Sequence, residues 1–284
     1  MSQVTMNGAQ RASSSRAIHL ALLSFLTLAL AFGGFIASPT QATAASQMKV
    51  VIVVGPVEGS TARYIEHARQ YAAQARAYGA NVIEVYSPRA TWTRVKAAAA
   101  GANILIYLGH GNGHPSPYGA FSSLRKNGMG LNSSLNNGNS NVKYWGQYYM
   151  RTGIHLARNS VVLLNHLCYA SGNSEPGRKL PTKSVAMQRA DGYGTGFLRT
   201  GAKAMFATGN GSLTSVIADL FTSDKTVAQM FQDDWSFSGE ADFQFASAKT
   251  SWSTVWMDPY APGKYYHAVS GKLTLTAAQV RAGG

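Results

Sequence analysis

The chain has 284 residues, one of them a cysteine, Cys168, and seven of them histidines. A lone thiol cannot close an internal disulfide, and outside the cytoplasm an idle thiol is a liability unless it is buried or used. Cys168 follows directly on the apolar run Ser160 to Leu167 (SVVLLNHL), and His110 follows, between two glycines, on the apolar run Asn103 to Leu108 (NILIYL). A thiol that can become a thiolate, an imidazole that moves protons and backbone N–H groups aimed at a developing oxyanion are the parts of cysteine-dependent acyl transfer. Gly111 lets the backbone approach a substrate carbonyl closely. Its N–H and that of Cys168 are the two candidate oxyanion donors.

These residues need elements to bring them together. Met48 to Gly55 is a short apolar run of the kind that forms a strand buried on both faces. Thr61 to Tyr78 has tyrosines and alanines spaced by three and four, which predicts a helix ended by Gly79. Asn81 to Tyr86 is a second strand, and Thr91 to Ala100 a short helix capped by Thr91. Asn103 to Leu108 and Ser160 to Leu167 are the third and fourth strands. A helix from Lys183 to Thr200 puts Val185, Arg189, Tyr193 and Phe197 on one face. Ala202 to Thr208 is a fifth strand, Asp224 to Asp233 reads as helical, and Leu273 to Leu275 as a late strand. Strand–helix–strand repetition implies parallel strands joined by right-handed crossovers with helices on both faces. In such sheets ligands bind beyond the carboxyl ends of the strands. His110 and Cys168 both stand at that edge. Residues 112–159, rich in Gly, Asn, Ser and Tyr, interrupt the rhythm and read as a surface insertion flanking a cleft.

An apolar strand, His-Gly, a spacer, a second apolar strand and then Cys resembles the caspase-like (clan CD) cysteine peptidases, which include caspases, legumain, clostripain, gingipains, separase and the CHAT peptidases. The matching pieces are ILIYLGHG (104–111) and VVLLNHLCYASG (161–172). GFLRTGAKAMFATG (196–209) resembles the helix and strand that follow the cysteine in CHAT-type members. The resemblance spans residues 48–235 in the order of elements. It implies an α/β fold, a three-layer αβα sandwich with a mainly parallel sheet (caspase-hemoglobinase-like). It also implies Cys168 as nucleophile, His110 as general acid/base, and Gly111 and Cys168 as oxyanion-hole donors. Leu167 stands where many members have a small residue, and His166 where caspases and legumains carry Gln or Glu.

Other residues compete for roles. His114, four residues after His110, could replace it. His166 is two residues from Cys168, so in a strand both point to one face; it reads as a polar core residue satisfied by hydrogen bonds. His67 and His155 read as surface or packing residues. His110, His114, His166 and Cys168 together are chemically suited to zinc, but His-x3-His binds best from a helix and here lies in a Gly-rich turn beside Pro115. An amidotransferase or DJ-1-like arrangement would place a histidine after the cysteine. Here the only one is His267, followed by Ala268-Val269, and the order His then Cys favours the caspase-like reading. Glu175, in the loop after Cys168, and Asp191 are the acidic residues best placed to recognise Arg or Lys.

The N-terminus has the three parts of a secretory signal. Arg11 and Arg16 precede an apolar run from Ala17 to Ala37, and Ala42-Thr43-Ala44 is a small-x-small cleavage site. Residues 1–44 are therefore expected to be a signal peptide, or an uncleaved anchor, since the run approaches the ~20 residues that span a bilayer. Residues 48–284 are expected to form a single domain, secreted or held on the extracellular face of the membrane. No second run is long and apolar enough to span a membrane. Lys and Arg number 25 against 12 Asp and Glu. The basic residues are scattered, with no nucleic-acid motif, so no specific nucleic acid is expected, whereas an anionic cell-surface polymer is a candidate partner. The expected activity is that of an exported cysteine endopeptidase acting on peptide or protein substrates through a Cys–His dyad and a thioester, with no metal or cofactor. The alternative is a catalytically inactive surface module on the same fold that binds an anionic wall polymer or a protein.

Overall fold

The structure is a computed structural model and describes residues 47–283. The expected signal segment, residues 1–44, lies outside the described residues. The central sheet has eight strands in the order β2-β1-β3-β6-β7-β10-β9-β8. The first five are parallel: β1 (Lys49–Val54), β2 (Asn81–Tyr86), β3 (Ile104–Leu108), β6 (Val161–Asn165) and β7 (Ala204–Thr208). β10 (His267–Gly271), β9 (Thr254–Asp258) and β8 (Phe243–Ala246) extend it as antiparallel strands.

The inner parallel strands β1, β3, β6 and β7 are almost wholly apolar because both of their faces are covered, whereas the edge strand β2 exposes Asn81 and Glu84. Val50, Ile52 and Val54 face one core with Ile104, Ile106, Leu108 and Phe206. Val51 and Val53 face the other with Leu105, Tyr107, Val162, Leu164 and Met205. The first core is closed by α1 (Thr61–Ala77), α5 (Thr214–Thr222), α6 (Val227–Gln232) and α7 (Ala277–Arg281). The second is closed by α2 (Trp92–Ala99), α3 (Gln147–Gly153) and α4 (Lys183–Leu198). The result is a three-layer αβα sandwich on a mainly parallel sheet, the fold class that the caspase-like resemblance implies. Among the described residues no helix is long and apolar enough to cross a membrane.

Four expectations change. Residues 112–159 are not a surface loop alone. They contain a hairpin, β4 (Met129–Asn132) with β5 (Val142–Trp145), followed by α3, and all of β4 is buried. Leu273 to Leu275 is a turn rather than a strand. Gly271 takes φ +127 and ends β10, and the carbonyls of Leu273 and Leu275 accept from the N–H groups of Ala228 and Val227 at the start of α6. β6 stops at Asn165, and His166 turns left-handed at φ 59, so His166 and Cys168 do not share a strand face. Thr91 stands at the N-cap of α2 but its side chain makes no capping hydrogen bond. Helix α5 was not anticipated.

Candidate functional site

The register across the sheet aligns Tyr86, Val54, Leu108, Asn165 and Thr208 in one row at the carboxyl ends of the parallel strands. The chain turns away from each just beyond that row. β1 continues to a left-handed Glu58 (φ 51), β3 to Gly109-His110-Gly111 and β6 to His166-Leu167-Cys168. Because β3 and β6 are hydrogen-bonded neighbours, His110 and Cys168 meet at adjacent strand ends. Both line a cleft of 540 Å³ with Gly111, Asn112, Tyr118, Tyr144, Glu175 and Pro176. Both also line a second cleft of 530 Å³ that reaches Glu58, Tyr64, His166, Asn210 and Tyr266.

The turn carrying His110 is held from below. The buried Tyr107 hydroxyl accepts from the Gly130 N–H at 2.9 Å and reaches the His110 carbonyl at 3.1 Å. The Asn112 N–H donates to the Tyr193 hydroxyl of α4 at 2.6 Å. The insertion is braced to the same turn: buried Lys126 donates to Asn112 Oδ1 and Ser116 Oγ, each at 2.8 Å. Gly111 lies against the backbone of Cys168 so closely that a Cβ there would fall 1.9 Å from the Cys168 carbonyl oxygen. Among the described residues, the N–H groups of Gly111 and Cys168 donate to no protein acceptor. Donors left free in this way are one of the things an oxyanion hole requires.

The thiol is set between two buried anchors, Leu167 and Tyr169, the latter left-handed at φ 72. Arg189 of α4 lies 4.7 Å over the Tyr169 ring and donates to the carbonyls of Pro115 (2.7 Å) and Asn173 (3.0 Å) and to Ser174 Oγ (3.0 Å). This one buried guanidinium ties the loop after Cys168 to the loop after His110. Burial, and then the nearby Glu175 carboxylate, push the Cys168 thiol up to about 11. Burial pulls the His110 imidazole below the ordinary histidine range, against the opposing pull of Glu58 and Glu175. The resting pair at neutral pH is therefore a thiol beside a neutral imidazole.

Glu175 lines the 540 Å³ cleft, where it accepts from the Tyr118 hydroxyl at 2.6 Å and pairs with Arg178 at 3.7 Å. Asp191 is not at this site. It is buried in α4, accepts from Ser247 and from the Ala248 N–H, and borders a separate cavity of 610 Å³. His114 lines neither Cys168 cleft; its ring meets Phe121 edge-on. His166 lines the second cleft, but its imidazole packs on Tyr64 and His67, with Nε2 3.2 Å from His67 Nδ1. Burial and then His67 pull it down to about 4. His155 is exposed. Among the described residues no three His, Cys, Asp or Glu side chains converge as a metal site.

Glu58, Tyr144, Asn210 and Tyr266 belong to the site and were not singled out in the sequence. Glu58 was within reach of the strand-end rule, since it follows β1 as His110 follows β3. The others come from the hairpin and from turns next to β7 and β10.

No protein-family model matches the chain, and no curated protein matches it. Among solved structures, the crystal structure of the Arg-specific cysteine proteinase gingipain R is similar over 81% of this chain, with 15% identity and a TM-score of 0.33. This chain spans 61% of the length of that one. None of its residues takes a role from that protein.

Proposed function

We propose that the chain is an exported cysteine endopeptidase in which Cys168 is the nucleophile and His110 the general base and acid. The observation that carries this reading is the placement of Cys168 and His110 at adjacent strand ends on shared clefts, with unengaged N–H groups beside them. Because the thiol is held near 11 and the imidazole is neutral, attack is coupled to proton transfer. His110 takes the thiol proton as sulfur adds to the peptide carbonyl. The oxyanion is met by the Gly111 and Cys168 N–H groups. His110 then protonates the leaving amine, and the thioester is hydrolysed by water that His110 activates in turn. Glu58, whose charge favours the imidazolium, steadies the proton-bearing state. The Cys–His arrangement needs no metal or cofactor.

The test is incubation of the wild type, Cys168→Ala and His110→Ala with a mixed peptide library, read by mass spectrometry. Cleavage by the wild type, lost in both variants, is expected. A folded wild type that cuts nothing, or a Cys168→Ala variant that cuts equally well, sinks the reading. The high thiol value, which disfavours a resting thiolate, and the excess of 25 Lys and Arg over 12 Asp and Glu favour a second reading, a silent module that binds an anionic surface polymer. It would show as salt-sensitive association with wall material, unchanged in Cys168→Ala.

A further inference from the structure

Strand β2 is one edge of the central sheet, and among the described residues no strand lies beyond it. The Asn81 N–H donates to the Met48 carbonyl and the Ser87 N–H to the Val54 carbonyl, both on the β1 side. N–H groups alternate in direction along a strand, so those of Val82, Glu84 and Tyr86 point away from β1. The Tyr86 carbonyl accepts from the Arg89 N–H, whereas the carbonyls of Val82 and Glu84 face outward with no strand to meet them. A row of unpaired backbone groups of this kind is a template for one more strand.

The rim of this edge is basic. A cavity of 330 Å³ beside it is lined by Ile65 and Arg69 of α1, Glu84 and Tyr86 of β2, Arg89 of the following turn and Arg94 of α2. Helices α1 and α2 cover opposite faces of the sheet, so a cavity that both line lies alongside the edge. Arg69, Arg89 and Arg94 are exposed, and among the described residues none of them makes an ion pair. Glu84, the one carboxylate of the lining, is already paired with Arg76. Three guanidinium groups against one answered carboxylate leave the cavity positive.

One kind of occupant satisfies both features. A free anion would meet the guanidinium groups and leave the backbone row unpaired. An extended acidic peptide pairs with that row and carries its carboxylates to the arginines, where charge-assisted hydrogen bonds are strong. Charges at an edge also turn away basic strands. The chain's own residues 1–46 hold no Asp or Glu, so they do not supply the charge. The edge is separate from the Cys168 clefts, neither of which these arginines line. It lies three strands from β6, roughly 14 Å at about 4.8 Å per strand.

We infer that the open edge of β2 binds an extended acidic segment of a partner protein by strand addition, with Arg69, Arg89 and Arg94 holding its carboxylates. The inference does not rest on the peptidase reading.

The test follows the fluorescence anisotropy of a labelled hexapeptide that alternates valine with glutamate. It is titrated with the full chain carrying Cys168→Ala, so that the probe stays whole. The acidic peptide is expected to bind saturably, and a valine–lysine hexapeptide not to bind. Methylating one alternate set of the acidic peptide's backbone nitrogens should abolish binding, and methylating the other set should not. Arg89→Ala and Arg94→Ala should each weaken binding about threefold. Glu84→Gln should not weaken it, whereas Glu84→Pro should do so about tenfold, because proline removes an outward N–H and spares the β1 pairing. If Glu84→Pro does not fold, the methylated peptides make the same test from the ligand's side. Binding of the lysine peptide, indifference to both methylations, or full affinity in the Arg89→Ala, Arg94→Ala double variant overturns the inference. Polyphosphate that binds through the same arginines while the acidic peptide does not bind assigns the patch to a phosphate polymer and also overturns it. So does self-association in sedimentation that the double variant abolishes, which makes a second copy the occupant. In an otherwise wild-type chain the double variant should cut the peptide library unchanged, so failure of the peptidase reading leaves this inference standing.

Discussion

At Gly111 the requirement is space. A Cβ would sit 1.9 Å from the Cys168 carbonyl oxygen, and backbone cannot step aside as a flexible side chain can. Gly111→Ala is therefore expected to push the two turns apart and lower kcat/KM by about a hundredfold, the loss typical of one oxyanion donor. Peptide-cleavage kinetics beside a circular-dichroism check of folding would measure it. The proton inventory makes a second prediction. The base must be neutral imidazole, and burial holds His110 below the ordinary histidine range. Activity should rise with pH through a value below 6.5 and then stay level, because the thiol does not ionise until about 11. A preformed thiolate–imidazolium pair would instead give a bell-shaped profile near neutrality, and such a profile would count against the coupled mechanism. Cys168 and His110 were legible as candidates because each follows an apolar strand. Their values were not, since burial is set by neighbours from the rest of the chain.

At the scale of elements, α4 organises the site. Arg189 falls on its inward face at the spacing of Val185, Tyr193 and Phe197, where a charged residue is costly unless fully satisfied. Its planar fork reaches Pro115, Asn173 and Ser174 together, which a lysine cannot do. Arg189→Lys is expected to cost about 2 kcal/mol, through carbonyls left without donors. Urea unfolding measures this, and limited proteolysis should show faster cutting between residues 172 and 178. The hairpin in residues 112–159 was hidden from the sequence because β4 and β5 are four residues each, too short for alternation to show. Its buried Lys126 and Asn127 look like surface residues until their partners are known.

For the whole molecule, buried ionisable groups set the response to acid. His166 is held at about 4, against an ordinary value near 6.5. Between those values the unfolded chain binds the proton that the folded chain refuses, so stability should fall as pH drops from 6.5 to 4. His166→Asn removes the titrating ring and keeps a residue that tolerates the left-handed backbone. It should flatten the melting temperature across that window, as scanning calorimetry at stepped pH would show. Asp258 adds a lower window. Burial raises its carboxyl, but the nearby His267 and the Ser238 and Gly239 hydrogen bonds outweigh this and hold it below the usual aspartate range. Its contribution is complete above the ordinary value and is lost only as pH falls through the depressed one.

The sequence by itself determined the five parallel strands, most of their crossover helices and the two strand ends that carry His110 and Cys168. Those features are local: apolar runs, helical spacing and glycine stops act through neighbours along the chain. Only the tertiary structure decided that Asp258 and His267 stand in the same row as the end of β6, that Asp191 faces away, and that His166 turns to His67. Those outcomes depend on which distant segments pair, and on where a strand ends by a single residue. Antiparallel pairing of β9 and β10 leaves no periodic mark long enough to read, yet it brings Tyr266 to a cleft of the thiol.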